Sequence, residues 1–285
     1  MKKIKVKTIY LFFIELKRAV FNKGMLLSFL ISGVLVFMHC YKHLGLWMEY
    51  ELPESMKEMY SNQAKTSPLN MWIIDNASPY LYYLYYVVPF LAVLPYGLNF
   101  YRECKTGNIK NMLVRMERKK YAATKYVATY ISGGIAAIMP LLISMLFLLP
   151  YIPLQAPNPI ISMPNATWLR SLYFEQPFLY VLAYLFIWFA VGGILAIMSL
   201  LVSAVNNNML TVFLSPFLVM LIVLFVQLRI AVKSPKLEEL KYFPFNFMMA
   251  QFSNGGTLEI GIALMVIPII GYLGYRCLIS RREVM

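Results

Sequence analysis

The chain has 285 residues, of which 60% are apolar and only 14% are charged, and its mean hydropathy is +0.63. Water-soluble domains usually contain about 45–50% apolar residues, so this composition excludes an ordinary soluble fold and predicts that lipid covers part of the surface. The net charge of +13 does not indicate nucleic-acid binding, because the basic residues lie beside apolar segments, where they orient a membrane protein and attract anionic lipid.

Residues 1–24 form the first predicted unit, a cytoplasmic interfacial amphipathic helix. Between residues 4 and 23, apolar side chains recur at helical spacing on one face, whereas Glu15 and Arg18 fall on the opposite face. Such a helix lies at the bilayer surface with its apolar face towards lipid. A simple basic anchor is the alternative, because lysines alone also orient a chain. The apolar face consists of Ile9, Phe12, Phe13, Leu16, Ala19 and Val20.

Six apolar segments are long enough to cross a bilayer as helices, and none shows the alternation of a strand. They cover residues 25–46, 80–101, 126–149, 177–202, 209–231 and 257–275. The predicted fold is therefore an all-α polytopic membrane protein, with a six-span domain over residues 25–275 and a cytoplasmic tail over 276–285. Prolines inside four of the segments predict kinked helices in a bundle. The pairs Gly133-Gly134 and Gly192-Gly193 predict close helix packing.

The basic residues predict the orientation of these spans. Lysines and arginines number 18 in the N-terminal segment, the loop after span two and the C-terminal tail, but only 6 in the three long segments on the other side. Because loops rich in Lys and Arg stay in the cytoplasm, both termini are expected to be cytoplasmic, in a bacterial cell membrane.

Three isolated features suggest binding or catalysis only weakly. His39 and His43 share a helix face, but zinc needs a third or fourth ligand, and the sequence offers none nearby. We therefore predict no metal site. Arg229 lies close enough to the end of span five for its charge to reach the interface. An intramembrane protease is disfavoured, because the spans contain no H-E-x-x-H motif and no paired glutamates.

The loop between spans two and three contains a second predicted amphipathic helix. Thr106-Gly107-Asn108 predicts a break and a helix start. Ile109, Met112, Leu113 and Met116 then form an apolar stripe at helical spacing. A partner protein can receive such a stripe in a groove. The alternative is that the stripe packs on the chain's own bundle or on lipid.

A longer run of this loop carries a family resemblance. It comprises Arg102-Glu103, Lys105-Thr106-Gly107-Asn108-Ile109-Lys110-Asn111-Met112-Leu113, Arg118, Tyr121 and Lys125. The run resembles a loop of ATP-binding-cassette (ABC) transporter permeases of the second type. In that family, a glutamate precedes a Ser/Thr-Gly-x-Ile-Lys run and a lysine opens the third span. This chain departs from the pattern where a proline commonly follows the helix, since Met116-Glu117 stands there. Leu237–Tyr242 followed by Phe243-Pro244-Phe245 resembles the family's small extracellular helices.

The resemblance implies a fold, a function and partners. The fold has an N-terminal interfacial helix, six spans and a cytoplasmic coupling helix between spans two and three. The function is that of a permease subunit that exports a hydrophobic or amphipathic substrate, such as a drug, an antimicrobial peptide or a glycan. A second permease chain, identical or related, completes the path. The residues that the resemblance assigns to ATPase coupling are Glu103, Gly107, Ile109, Met112, Leu113 and Met116.

The chain itself is not expected to be an enzyme. It has no G-x-x-x-x-G-K-[ST] run, so it lacks the loop that cradles phosphates in ATPases of this class. ATP and Mg²⁺ would be bound by separate cytoplasmic ABC ATPase subunits, and we predict no cofactor in this chain. A membrane immunity or scaffold protein that does not transport remains the alternative.

Overall fold

The computed structural model describes residues 8–49, 67–73, 79–152, 154, 156–157, 169–233, 248 and 257–281. In this part of the chain the regular structure is helical and no strand occurs, which confirms the all-α prediction there. The helices are α1 (Thr8–Val20), α2 (Lys23–Glu49), α3 (Pro68–Met71), α4 (Pro79–Val93), α5 (Asn99–Lys105), α6 (Asn108–Arg115), α7 (Arg118–Leu148), α8 (Arg170–Glu175), α9 (Pro177–Val205), α10 (Met209–Lys233) and α11 (Thr257–Arg281).

Several helical segments are long and apolar enough to cross a membrane, as expected of a multi-pass membrane protein. Within the described ranges there are five: Tyr10–Gly45, which joins α1 and α2, then Arg118–Leu148, Pro177–Val205, Met209–Val226 and Gly261–Ser280. The second predicted segment, 80–101, is not one continuous helix, so its role as a sixth span stays a prediction. It consists of α4, a turn over residues 94–98, and the short helix α5.

The break between α4 and α5 has a local cause in Pro95. A proline has no N–H to donate to the carbonyl four residues earlier, and its ring crowds that carbonyl. The carbonyl concerned belongs to Leu91, and it accepts a hydrogen bond from the Ser28 hydroxyl of α2 at 3.0 Å instead. Broken helices are tolerated at membrane depth where a neighbouring helix satisfies the freed group. The turn is thus stabilised by its neighbour, which the local sequence does not show.

Close packing between α7 and α9 forms the centre of the bundle. A β-carbon on Gly133 would lie 2.3 Å from the Ala196 β-carbon, and one on Gly192 would lie 2.3 Å from that of Ala137. Only glycine allows the two backbones to come this close, which confirms the predicted close approach. Trp188 of α9 lies buried beside this crossing and extends the core towards α4.

A two-residue bend separates α1 from α2 within the apolar segment Tyr10–Gly45, and the buried face of α1 differs from the predicted one. Leu11, Glu15 and Ala19 lie on the buried face, whereas Phe13 is 60% exposed. The assignment of Glu15 to the polar, outward face is therefore wrong. The position of α1 at a membrane surface stays a prediction, to which the outward Phe13 is suited. The segment Leu237–Tyr242 and the three residues after it lie outside the described residues.

Candidate functional site: a buried ion cluster beneath the loop helix

Three helices contribute one buried charged side chain each to a single cluster. Glu15 comes from α1, Glu103 from α5 and Lys125 from α7, and each is almost completely buried. The Lys125 ammonium lies 3.0 Å from Glu15 Oε2 and 2.5 Å from Glu103 Oε1. Buried charges are stable only when they are paired and hydrogen-bonded. The cluster therefore fixes α1, α5 and α7 to one another at this end of the bundle.

The cluster satisfies every oxygen of both carboxylates. Arg18 donates to Glu15 Oε1 at 2.9 Å, and the Tyr96 hydroxyl, like Lys125, donates to Glu15 Oε2. Asn99 donates to Glu103 Oε1 at 2.8 Å, and Tyr121 donates to Glu103 Oε2 at 2.6 Å.

The ammonium of Lys125 is equally well satisfied. Its three N–H groups match three acceptors, since it also donates to the Tyr96 hydroxyl at 2.8 Å. It further lies 4.9 Å from the centre of the Tyr96 ring, within the range of a cation–π contact. A fully satisfied network of this kind is rigid and specifies one arrangement of its helices.

The surroundings of Glu15 suit a charged carboxylate. Burial removes water from the carboxylate, but the charge of Lys125 and the hydrogen bonds from Tyr96, Lys125 and Arg18 compensate for that loss. Two carboxylates and two cations thus meet in the cluster, and the group is close to neutral overall.

The loop helix α6 follows α5 after a sharp turn. Gly107 has a positive φ of 72°, a conformation that glycine adopts with little strain, and the Thr106 hydroxyl donates to the Arg102 carbonyl at 2.9 Å. The predicted break at Thr106-Gly107-Asn108 is confirmed, and α6 begins at Asn108. Glu103 lies one turn before the break, so the ion cluster holds the end of α5 from which the loop helix continues.

The apolar stripe of α6 packs largely on the chain itself. Ile109 and Met116 are buried in a core shared with Phe100 and Tyr121, and Met112 and Leu113 are partly buried against the same core. The structure thus favours the alternative in which the stripe covers the bundle. The opposite edge of α6 is exposed to solvent: Lys110 and Asn111 are exposed, and Val114 is 84% exposed.

The remaining candidates from the sequence form no metal-binding group among the described residues. His39 Nε2 lies 3.1 Å from the Met71 carbonyl, and the rings of His39 and His43 are 4.6 Å apart. Among the residues that the structure describes, no group of three or more His, Cys, Asp or Glu side chains could hold a metal ion. Arg229 is exposed near the end of α10.

Sequence reasoning missed the ion cluster, although two signals pointed to it. Lys125 lies two turns inside α7, so it is a charge on a long apolar helix, and such charges usually have partners. Glu15 is spaced four residues from both Leu11 and Ala19, on the face that packs. Neither signal shows that the two residues meet.

No protein-family model, curated protein or solved structure matches this chain.

Proposed function

We propose that this chain is the membrane-spanning permease subunit of an ABC exporter. It spans the cell membrane of a bacterium six times with both termini in the cytoplasm, and separate ATPase chains power it. The second span is α4 continued by the turn and α5. Alone, the 15 residues of α4 cover about 22 Å at 1.5 Å per residue, less than the hydrocarbon core of about 30 Å, so α5 is needed to complete it.

The observation that carries the proposal is the position of α6. Both ends of its apolar stripe are buried in the bundle, and the helix before it, α5, is fixed by the Glu103–Lys125 ion pair. The outer edge of α6 is nevertheless exposed to solvent. A short helix that is held firmly but exposes an apolar residue is suited to receive force from a partner protein.

A cleft beside α6 offers a partner a place to insert. The cleft has a volume of about 440 Å³ and lies between α6 and α1, where Val114, Asn111 and Arg18 line it. The ATPase would contact this edge and the mouth of the cleft. This surface differs from the stripe face, which the sequence suggested.

The proposal assigns the chemistry to the ATPase and the path to the permease. Movement of α6 would pass through Glu103 and Lys125 to α7 and through Glu15 to α1. Two permease chains would enclose the path of a hydrophobic or amphipathic substrate, and the purified chain alone would hydrolyse no ATP.

The test places a charge on the exposed edge of α6. The tagged full-length chain is expressed in its native host and purified in mild detergent, and the co-purified proteins are identified by mass spectrometry. Val114→Glu should reduce recovery of the ATPase more than a hundredfold, since an unpaired charge in an apolar contact costs on the order of several kcal/mol. Because Val114 is so exposed, the isolated chain should keep its thermal stability.

The matched control is Val205→Glu, which makes the same change at the end of α9, at a side chain that is 69% exposed. It should leave ATPase recovery unchanged. Leu113→Glu is less informative, because Leu113 is partly buried and a charge there would also disturb the bundle. Equal ATPase recovery with Val114→Glu and wild type would contradict the coupling role of α6. The absence of any ATPase with the wild-type chain would favour the non-transporting scaffold.

A further inference from the structure

A groove opens beside the break between α4 and α5. It has a volume of about 1110 Å³. The junction of α1 and α2 forms one wall, the turn over residues 94–98 forms the floor, and the start of α10 forms the other wall. The groove is therefore bounded by the parts of three helical segments that lie at the same end of the bundle.

The polar rim of the groove is cationic. Arg18, Lys23 and Arg102 line it, and none of the described side chains in its lining is acidic. All three basic side chains are exposed. Arg18 donates to Glu15 behind the rim, but a guanidinium has five N–H groups and its side chain is 53% exposed. The helices α2 and α10 also begin here, and the positive ends of their dipoles add to the same field.

The walls below the rim are apolar and continue along the bundle. Leu27 of α2 and Leu210 and Phe213 of α10 line the groove. Phe213 also packs against Phe90 of α4, with ring centres 5.4 Å apart. Further along α2, exposed apolar side chains extend this surface, including Leu30 and Val34. A molecule that fits the groove needs a negative head and a hydrocarbon tail.

We infer that this groove binds the phosphate headgroup of an anionic membrane phospholipid, with an acyl chain between α2 and α10. Basic side chains at the cytoplasmic end of membrane helices attract anionic lipid in this way, and arginine and lysine are suited to phosphate. The lipid would brace the junction of α1 and α2 and the broken second span. This inference goes beyond the proposed export function and does not depend on the ATPase.

A second copy of the chain is the competing occupant, and the charges disfavour it. A symmetric dimer places the same surface of both copies face to face. Two copies meeting at this groove would bring Arg18, Lys23 and Arg102 of one copy towards the same cations of the other. Like charges across an interface oppose association, whereas a phosphate neutralises them.

Native mass spectrometry of the full-length chain in detergent tests the inference. The protein is titrated with phosphatidylglycerol and, separately, with phosphatidylcholine that carries the same acyl chains. The wild-type chain should bind one phosphatidylglycerol with clear preference. Lys23→Gln combined with Arg102→Gln should weaken that binding roughly thirtyfold. Glycerol 3-phosphate, which lacks the acyl chains, should not compete at equal concentration.

The control is Lys119→Gln combined with Lys120→Gln, which removes the same charge from exposed positions at the start of α7. It should change the affinity for phosphatidylglycerol by less than about threefold, because distant exposed charges act only through a screened field. An equal loss in both double variants would reduce the effect to general attraction and overturn the inference. Equal affinity for the two lipids would overturn it too. A shift in the monomer–dimer ratio without any change in lipid binding would assign the groove to a second copy.

Discussion

Replacing Lys125 by methionine tests the ion cluster directly. Methionine has a similar length and fills the same space, so the substitution removes the charge and its three hydrogen bonds while keeping most of the packing. Glu15 and Glu103 are then left buried without their shared cation. Removing one partner from a buried ion pair typically costs about 3–5 kcal/mol, because the remaining charge keeps its desolvation penalty. For a chain of this size, that cost corresponds to a melting temperature lower by roughly 10 °C.

A cysteine in the core provides the assay. Cys40 is buried, Cys277 is exposed and Cys104 is intermediate. In a background with Cys104→Ser and Cys277→Ser, a thiol-reactive dye reports the unfolding that exposes Cys40. The melting temperatures of all variants are compared in this background, so that the effect of the serines cancels.

Two controls decide whether the cluster is responsible. Lys120→Met breaks the exposed pair with Glu117, whose atoms are 3.2 Å apart. Exposed pairs contribute less than about 1 kcal/mol, so this variant should melt close to the background. Adding Glu15→Gln and Glu103→Gln to Lys125→Met makes the site neutral and should recover at least half of the lost stability. If Lys125→Met melts no lower than Lys120→Met, the cluster does not hold the helices together.

Three further predictions follow from the packing and the orientation. Gly192→Val should lower the same melting temperature by several degrees, because such overpacking costs about 1–3 kcal/mol. Even the β-carbon of the valine would lie 2.7 Å from the Gly133 carbonyl oxygen. An unchanged melting temperature would contradict the close crossing. Ser28→Ala should cost on the order of 1 kcal/mol, because it removes the donor to a buried carbonyl, and a loss too small to measure would mean that another group satisfies that carbonyl. In intact cells that express a cysteine-free form of the chain, Ser162→Cys should react with an impermeant maleimide, whereas Asn207→Cys should not. Labelling of Asn207→Cys from outside would contradict six spans.

The sequence predicted those features that depend on local hydropathy and on residue size. Long apolar runs predicted helices that are long and apolar enough to span a membrane, because each helix satisfies its own backbone whatever surrounds it. The paired glycines predicted the crossing of α7 and α9, because close approach excludes side chains whichever helix is the partner. Gly107 predicted the break before α6, because its positive φ is a local property.

Features that depend on contacts between distant segments were predicted less well. A kink was expected from the prolines of span two, but a turn over residues 94–98 interrupts the helix. The carbonyl that Pro95 leaves without an N–H partner accepts a hydrogen bond from Ser28, which lies 63 residues away. Glu15 was placed on the polar face of α1, because a helical wheel assigns acidic residues to the outside. Its partner Lys125 is 110 residues away, and no local pattern indicates that contact.

The ion cluster gives the loop helix a physical connection to the rest of the bundle. Glu103 lies on α5, one turn before the Gly107 turn, and each of its oxygens is held by groups on α5 or α7. In the proposed permease, a displacement of α6 that moves α5 would therefore carry α7 with it unless these bonds break. Lys125 extends the connection to α1 through Glu15, so the first helix, the broken second span and the third span would respond together. A purely apolar contact between α5 and α7 would allow the two helices to slide, because dispersion forces are weakly directional. The buried charges of Glu103 and Lys125 remove that freedom, since sliding of α5 along α7 would separate an ion pair in a poorly hydrated site.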